Sequence, residues 1–141
     1  MPTINVTDEL ELFLESLKEQ TYKDFELIAV DQNKDDKAYK ILEKYENDFE
    51  IKYMKSDRKG LSLNRNRGLL VMDGSIAGFP DDDCEYQPDT LEKVVAFFER
   101  KKICLLVNVA RITGSKIWIW FALIIKGWSS FKFSIPLILT L

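Results

Sequence analysis

The chain has 141 residues, a formal net charge of −3 and 46% hydrophobic residues, which is typical of one globular domain. It contains no histidine, so histidine-based catalysis and histidine metal ligands are excluded. The two cysteines, Cys84 and Cys104, form no CxxC pair, and we expect reduced thiols rather than a disulfide framework or a zinc site. Carboxylates, amines, hydroxyls and backbone amides are left to carry any chemistry.

Residues 1–102 alternate helix-like and strand-like patterns, which predicts an α/β fold. Helices are predicted where apolar residues recur at spacings of three and four, and strands where short apolar runs end in polar loops. The predicted elements are a helix with the stripe Leu10, Phe13, Leu14 and Leu17; a strand over 25–30; a helix with Ala38, Ile41, Leu42 and Tyr45; a strand over 51–54; a helix from Gly60 to Leu70; a strand over 75–79; and a helix from Pro88 and Asp89 with Leu91, Val94, Val95 and Phe98 inward.

Single helices between strands imply parallel pairing, and ligands of such sheets bind at the carboxyl ends of the strands. The polar groups of this sequence follow the predicted strands at those ends: Asp31, the segment 55–60, and the run 81–83. We therefore expect the functional site at this edge of the sheet.

Residues 103–141 differ in composition from the rest of the chain. They contain 25 hydrophobic residues, all three tryptophans, four cations and no acid. The longest apolar run, 117–125, is too short to span a membrane as a helix, although Trp and Lys beside aliphatic residues suit a membrane interface. We predict two regions, 1–102 and 103–141, and keep peripheral membrane contact through the second as an open alternative.

The acidic run Asp81-Asp82-Asp83 is the first candidate site. Alternate residues after a strand project to the same side, so Asp81 and Asp83 can face one pocket. Oxygen ligands favour Mg or Mn ions, which could neutralise a departing diphosphate. A solvated acidic loop that only joins strand to helix is the alternative interpretation.

Two further candidates lie beside neighbouring strands. Asp31 could accept a hydrogen bond from a ribose hydroxyl or a base N–H, or it could only cap a turn. In the segment Gly60-Leu-Ser-Leu-Asn-Arg-Asn-Arg-Gly68, backbone amides and the side chains of Arg65 and Arg67 could meet phosphate oxygens. Surface charge is the alternative reading for these arginines.

The segments FLESLKEQTYKDFELIAVDQN, GLSLNRNRGL and SIAGFPDDDCEYQPDTLEKVVAFFE together resemble the inverting family 2 glycosyltransferases, which have the GT-A fold. The resemblance covers about residues 2–100. It implies a Rossmann-like α/β domain with a mostly parallel sheet flanked by helices, and a metal-dependent transfer of sugar from a nucleoside-diphosphate-sugar to an acceptor hydroxyl.

The resemblance also assigns site residues. It implies that Asp83 holds the Mg or Mn ion and that the other site residues contact the nucleotide-sugar. These implied contact residues are Thr3, Asp31, Arg65, Asn66, Asp81 and Asp82.

Two departures from the family pattern lead us to expect a domain truncated at both ends. The chain begins almost at the turn that follows the family's first strand, which would leave a vacancy between the strands at 25–30 and 75–79. We expect 103–110 or 117–125 to fill it. Nothing after Lys102 resembles the acceptor-binding half, and this region contains no carboxylate side chain to act as the base. We therefore expect weak or no transfer by the chain alone.

The expected partner is a nucleoside-diphosphate-sugar donor, with a glycan, lipid or protein acceptor and no nucleic acid. No signal peptide is recognised, which predicts a cytoplasmic location, including the inner face of the membrane. A non-catalytic module that binds a nucleotide-sugar, a membrane or a protein partner is the alternative. A nucleotidyltransferase is disfavoured because its glycine- and lysine-rich phosphate loop is not visible.

Overall fold

A computed structural model describes the backbone of residues 6–81, 83–101, 106–108, 120–123 and 135–141, and the side chains of 8–81, 83–99 and 135–141. The elements follow the predicted order through the first hundred residues. They are α1 (Val6–Lys18), β1 (Phe25–Asp31), α2 (Lys37–Leu42) with a 3-10 turn (Glu43–Tyr45), β2 (Glu50–Lys55), α3 (Leu61–Val71), β3 (Ile76–Phe79), α4 (Thr90–Lys101), β4 (Leu106–Asn108), β5 (Trp120–Leu123) and β6 (Ile135–Thr140).

The strands form one mixed sheet in the order β2-β1-β6-β3-β5-β4. β2, β1, β6 and β3 are parallel, whereas β5 pairs antiparallel with both β3 and β4. The prediction of a mostly parallel α/β sheet flanked by helices is confirmed. None of the described helices combines the length and apolar character needed to cross a membrane.

The larger core joins one face of the sheet to α1, α2 and α4. The predicted apolar stripes of these helices are buried, because each presents its apolar face to the alternate side chains of β1 and β6. A smaller core lies on the opposite face, between the sheet and the chain around α3. Its buried residues are Ile28, Val30, Met72, Ala77 and Ile138. All seven residues of β1 are buried, as expected for a strand covered on both faces.

The position between β1 and β3 is filled by β6, and not by either segment we expected there. Parts of those two segments, Leu106–Asn108 and Trp120–Leu123, form the outer strands instead. β6 is apolar toward both cores, with Leu137, Ile138 and Leu139 fully buried. A central strand needs apolar side chains on both faces, which explains why this segment takes the place.

Pro136 lies within this central strand, where its missing N–H would interrupt a ladder. The N–H groups of Ile135 and Leu141 donate to Asp24 and Val30, on the β1 side. Since alternate residues point their amides to opposite sides, the nitrogen of Pro136 faces β3. The β1–β6 ladder runs over six residue pairs, but the β3–β6 ladder has the single pair Gly78 with Leu137.

The division of the chain into two regions, 1–102 and 103–141, stays a prediction. The sheet contains three strands from the second region, β4, β5 and β6.

Candidate functional site

Polar side chains gather where β1, β2 and β3 end, at the carboxyl edge of the sheet. β1 ends at Asp31, β2 ends at Lys55, and the loop with Asp81 and Asp83 follows β3. The amino-terminal part of α3 packs beside the same edge and adds Asn64 and Arg65. The edge therefore brings together the three regions that the sequence indicated.

Asp31 is fully buried and its carboxylate is held by three hydrogen bonds. Its Oδ1 accepts from the backbone N–H of Asn33 at 2.8 Å, and its Oδ2 accepts from the Tyr53 hydroxyl at 2.8 Å and Lys55 Nζ at 3.1 Å. Burial alone would raise the pKa of Asp31, but these bonds outweigh it and the pKa is lowered. Asp31 is therefore ionised and locked at the base of the site.

Asn64, on α3, joins the loops that follow β1 and β2. This buried amide accepts from the Ser56 hydroxyl at 2.7 Å and donates to Gln32 Oε1 at 3.1 Å. Gln32 Oε1 also accepts from the N–H of Gly60, whose φ of +148° suits glycine at the start of the helix. The network fixes α3 relative to Asp31.

Arg67 leaves α3 on the flank that faces β2. Its guanidinium donates to Ser56 Oγ at 2.6 Å and to Asp57 Oδ1 at 3.0 Å. The exposed carboxylate of Asp57 has a lowered pKa, chiefly because of the hydrogen bond from Arg67. Arg67 is thus occupied by the loop after β2 and does not reach the acidic run.

Arg65 leaves the opposite flank of α3 and reaches the acidic run. Its guanidinium lies 3.3 Å from Asp81 Oδ1 and over the Phe79 ring, 5.5 Å from the ring centroid. The buried Nε of Arg65 has no partner among the described residues. Arg65 therefore has a donor that no described residue satisfies.

Asp81 and Asp83 are close enough to interact electrically. The pKa of Asp81 is raised, first by burial and further by Asp83, although Arg65 acts in the opposite direction. Strand β3 ends at Phe79, so the two acids are brought together by the loop and not by strand alternation. Two neighbouring carboxylates with exposed oxygens are a donor set that suits a hard cation such as Mg or Mn.

The other predicted site residues have different outcomes. Asn66 is exposed, since it lies on α3 between the two arginines that turn toward the sheet edge. The amide that joins the site loops is Asn64, two positions earlier. Thr3 and Asp82 lie outside the described residues.

Another acidic group lies at the opposite, amino edge of the sheet. Oxygens of Glu26, Glu50 and Asp73 lie within 4.8 Å of one another. Lys52 Nζ already lies among them, at 2.5 Å from both Glu26 Oε2 and Asp73 Oδ2. Burial lowers the pKa of Lys52, but the bonds to Asp73 and Glu26 outweigh this effect and raise it. Lys52 thus supplies a counter-charge to these carboxylates.

Sequence reasoning placed the segments 55–60 and 60–68 at this edge, but it assigned no individual role to Gln32, Tyr53, Lys55, Ser56 or Asn64. One signal for Asn64 was available, because Gly60, Asn64 and Gly68 recur at intervals of four and so share one face of α3. Two glycines and one amide on a face mark a close approach to other backbone. The contacts of Tyr53 and Lys55 depend on the register of β1 against β2, which no local pattern encodes.

Comparison with known sequences gives a consistent result. The family described as "Glycosyl transferase family 2" matches residues 1–139. The chain is 34% identical over 93 residues to "Glycosyltransferase GlyA" of Streptococcus pneumoniae serotype 4, which covers 65% of this chain and 13% of that protein. It is 29% identical over 119 residues to "Poly(ribitol-phosphate) beta-N-acetylglucosaminyltransferase TarS" of Staphylococcus aureus, which covers 81% of this chain and 21% of that protein.

A third relative is the "GalNAc(5)-diNAcBac-PP-undecaprenol beta-1,3-glucosyltransferase" of Campylobacter jejuni, 33% identical over 88 residues that cover 60% of this chain and 28% of that protein. The chain thus spans only a minor part of the relatives it matches. No solved structure matches significantly.

Proposed function

Because the chain belongs to glycosyl transferase family 2, we propose that its carboxyl-edge site binds a nucleoside-diphosphate-sugar for transfer to an acceptor hydroxyl. One observation supports this most directly: Asp31 ends β1 and Asp81 lies in the loop after β3, on the two strands that flank β6, and Arg65 links α3 to Asp81. Two carboxylates and a guanidinium at one sheet edge offer acceptors for ribose hydroxyls and a donor for phosphate oxygens.

Each residue then has a role. Asp31 and Asp81 orient the nucleoside by accepting hydrogen bonds, and Arg65 directs its free N–H toward the diphosphate. Lys55 is part-exposed and covers Asp31, so its side chain has to shift for a ligand hydroxyl to reach that carboxylate. Thr3, Asn66 and Asp82 remain proposed contacts from the resemblance alone.

Asp81 and Asp83 would hold a Mg or Mn ion. Such an ion, when bound, offsets the negative charge that develops on a departing diphosphate. Positioning by Asp31, Asp81 and Arg65 would keep the sugar carbon aligned for displacement. No described residue is assigned as the base that deprotonates the acceptor.

Isothermal titration calorimetry with uridine diphosphate and Mn tests the proposal. We expect metal-dependent binding that is lost in Asp83→Ala, because the metal loses a carboxylate. Glu85→Ala is the matched control, since Glu85 is an exposed acid two residues away, and it should bind like the unchanged chain. Equal binding by Asp83→Ala, or no binding by the folded chain with any of several nucleoside diphosphates, would contradict the proposal.

A transfer assay separates an enzyme from a binding module. We expect the purified chain to bind donor but to form little or no glycoside from uridine-diphosphate-sugars, because residues 103–141 contain no carboxylate side chain. Steady formation of a new glycoside would contradict this expectation.

A further inference from the structure

Helix α3 exposes an unusual amount of apolar surface. Among the described residues six large hydrophobic side chains are exposed, and four of them belong to this helix. The exposed fractions are 51% for Leu61, 38% for Leu63, 80% for Leu70 and 39% for Val71. We call Leu63 and Leu70 the α3 outer face. Leu63 and Leu70 are seven positions apart, so they lie one above the other on the same side of the helix.

A cleft of about 410 Å³ continues this surface toward the edge strand β2. Leu70 and Val71 line it together with Val30 and Met54, and Lys55, Asp57 and Arg67 form its charged rim. This cleft lies on the flank of α3 that carries Arg67. The proposed donor site lies on the other flank, where Arg65 meets Asp81. The cleft and the proposed donor site share Lys55, but the acidic run lies away from the cleft.

The segment that contains α3 carries two cations that form no ion pair with a described residue. Residues 52–71 contain six cations and a single acid, Asp57, but four of the cations form ion pairs, with Asp57 or with acids outside the segment; these four are Lys52, Lys55, Arg65 and Arg67. Arg58 and Lys59 are exposed in the loop that leads into α3, and neither forms an ion pair with a described residue, although Asp57 lies next to Arg58. Positive charge without an ion pair thus lies at the amino-terminal end of α3.

We propose that the α3 outer face, with Arg58 and Lys59, docks on an anionic lipid bilayer. Exposed leucines on a helix, with cations in the loop that leads into it, fit the boundary between headgroups and acyl chains, where the leucines are removed from water and the cations meet lipid phosphates. A nucleic acid offers no apolar layer for Leu63 and Leu70. Self-association of two such faces would bring their positive charges together. This surface is distinct from residues 103–141, where sequence alone placed membrane contact.

Vesicle co-sedimentation of the purified full chain tests the apolar part of the proposal. We expect binding to phosphatidylcholine vesicles that contain phosphatidylglycerol, and much weaker binding to phosphatidylcholine alone. The double variant Leu63→Ser with Leu70→Ser should lose binding. Leu12→Ser is the matched control, since Leu12 is 53% exposed on α1, and it should bind normally. Undiminished binding by the double variant would overturn the proposal.

Reversing the charges tests the basic part. The double variant Arg58→Glu with Lys59→Glu should bind anionic vesicles at least about tenfold more weakly, since each surface cation near anionic lipid contributes about fivefold in affinity and two are removed. Lys34→Glu with Lys40→Glu, two exposed lysines elsewhere, should have a smaller effect. Equal binding to neutral and anionic vesicles would overturn the proposal.

The leucine double variant also tests two other ways in which the α3 outer face could be covered, by the chain itself or by a second copy. A large fall in melting temperature for the leucine double variant would show that the chain itself covers these side chains. Concentration-dependent dimers without vesicles, abolished by the same variant, would show a second copy on the face. Either result overturns the proposal.

Discussion

Asp31 illustrates how one buried carboxylate can be both structural and chemical. It has no exposed surface, and it links β1 to β2 through Tyr53 and Lys55. Buried acceptors that lose their donors are costly, so this arrangement stabilises the fold before any ligand binds. The same contacts keep the carboxylate ionised and fixed in position.

Asp31→Asn should lower the free energy of unfolding by about 2 kcal/mol, because a charge-assisted bond to Lys55 is replaced by a neutral contact. Urea denaturation followed by circular dichroism measures this difference. Asp35→Asn, an exposed acid in the following loop, is the control and should change stability little. Equal stability of Asp31→Asn and the unchanged chain would show that the three bonds are not formed.

The lowered pKa of Asp31 gives this prediction a pH dependence. The carboxylate is ionised in the folded state at pH values where an unfolded chain is already taking up protons. Its contribution is therefore complete above the unfolded pKa of about 4 and is lost as pH falls through the lower folded pKa. The stability difference between the chain and Asp31→Asn should shrink below about pH 4. A difference that stays constant down to pH 2 or grows would contradict the assignment.

At the scale of elements, α3 packs closely against the sheet because Gly68 has no side chain. A Cβ atom at Gly68 would collide with the side chain of Ile138 on β6. Glycine in a helix normally weakens it by about 1 kcal/mol relative to alanine. Here the glycine lets α3 lie close to the central strand, and this closeness brings Asn64 and Arg65 to the site.

Gly68→Ala should therefore destabilise the protein, by about 1 to 2 kcal/mol, although it improves helix propensity. Ile138→Ala removes the colliding atoms and leaves a cavity that costs about 3 kcal/mol alone. The double variant should cost less than the sum of the two single changes, as measured by urea denaturation in a double-mutant cycle. Additive effects would mean that the two positions are not in contact.

How far the sequence predicts the elements depends on what each pattern encodes. The stripes on α1, α2 and α4 follow directly from apolar spacing, and all three helices bury the predicted side chains. The packing of α3 against the sheet was harder to predict from the sequence, since the side that faces the sheet carries Gly60, Asn64 and Gly68 instead of apolar residues. An apolar pattern indicates which face of an element is buried, but it does not indicate which other element packs against that face.

The central strand shows the same limit. Sequence alone pointed to two apolar segments for this position, 103–110 and 117–125. The segment at the centre of the sheet is Ile135–Thr140, because it can bury both faces between β1 and β3. Choice of partner strand depends on long-range packing, which a hydrophobic run does not specify. For the same reason the residues around Asp31 were recognised only in part.

At the scale of the whole molecule, the fold depends on a strand drawn from the last residues of this sequence. Leu137 is fully buried and pairs with both β1 and β3. Leu137→Ala should therefore lower the free energy of unfolding by about 3 kcal/mol. Leu70→Ala, at an exposed leucine of α3, should change it by less than about 0.5 kcal/mol.

Urea denaturation of both variants decides whether residues 135–140 belong to the sheet. A negligible effect of Leu137→Ala would contradict the central position of β6. The comparison with Leu70 controls for the loss of a leucine in itself.

Backbone pairing between β6 and β3 is short, because the nitrogen of Pro136 faces β3 and Gly78 with Leu137 is the single residue pair. The sheet is continuous from β2 to β6, but backbone bonding nearly stops before β3. Asp31 stands on one side of this gap, and Asp81, paired with Arg65, stands on the other. Asp31 is held by its own hydrogen bonds, so adjustment of this edge to ligands of different size falls to the loop with Asp81, which no long ladder ties to β6.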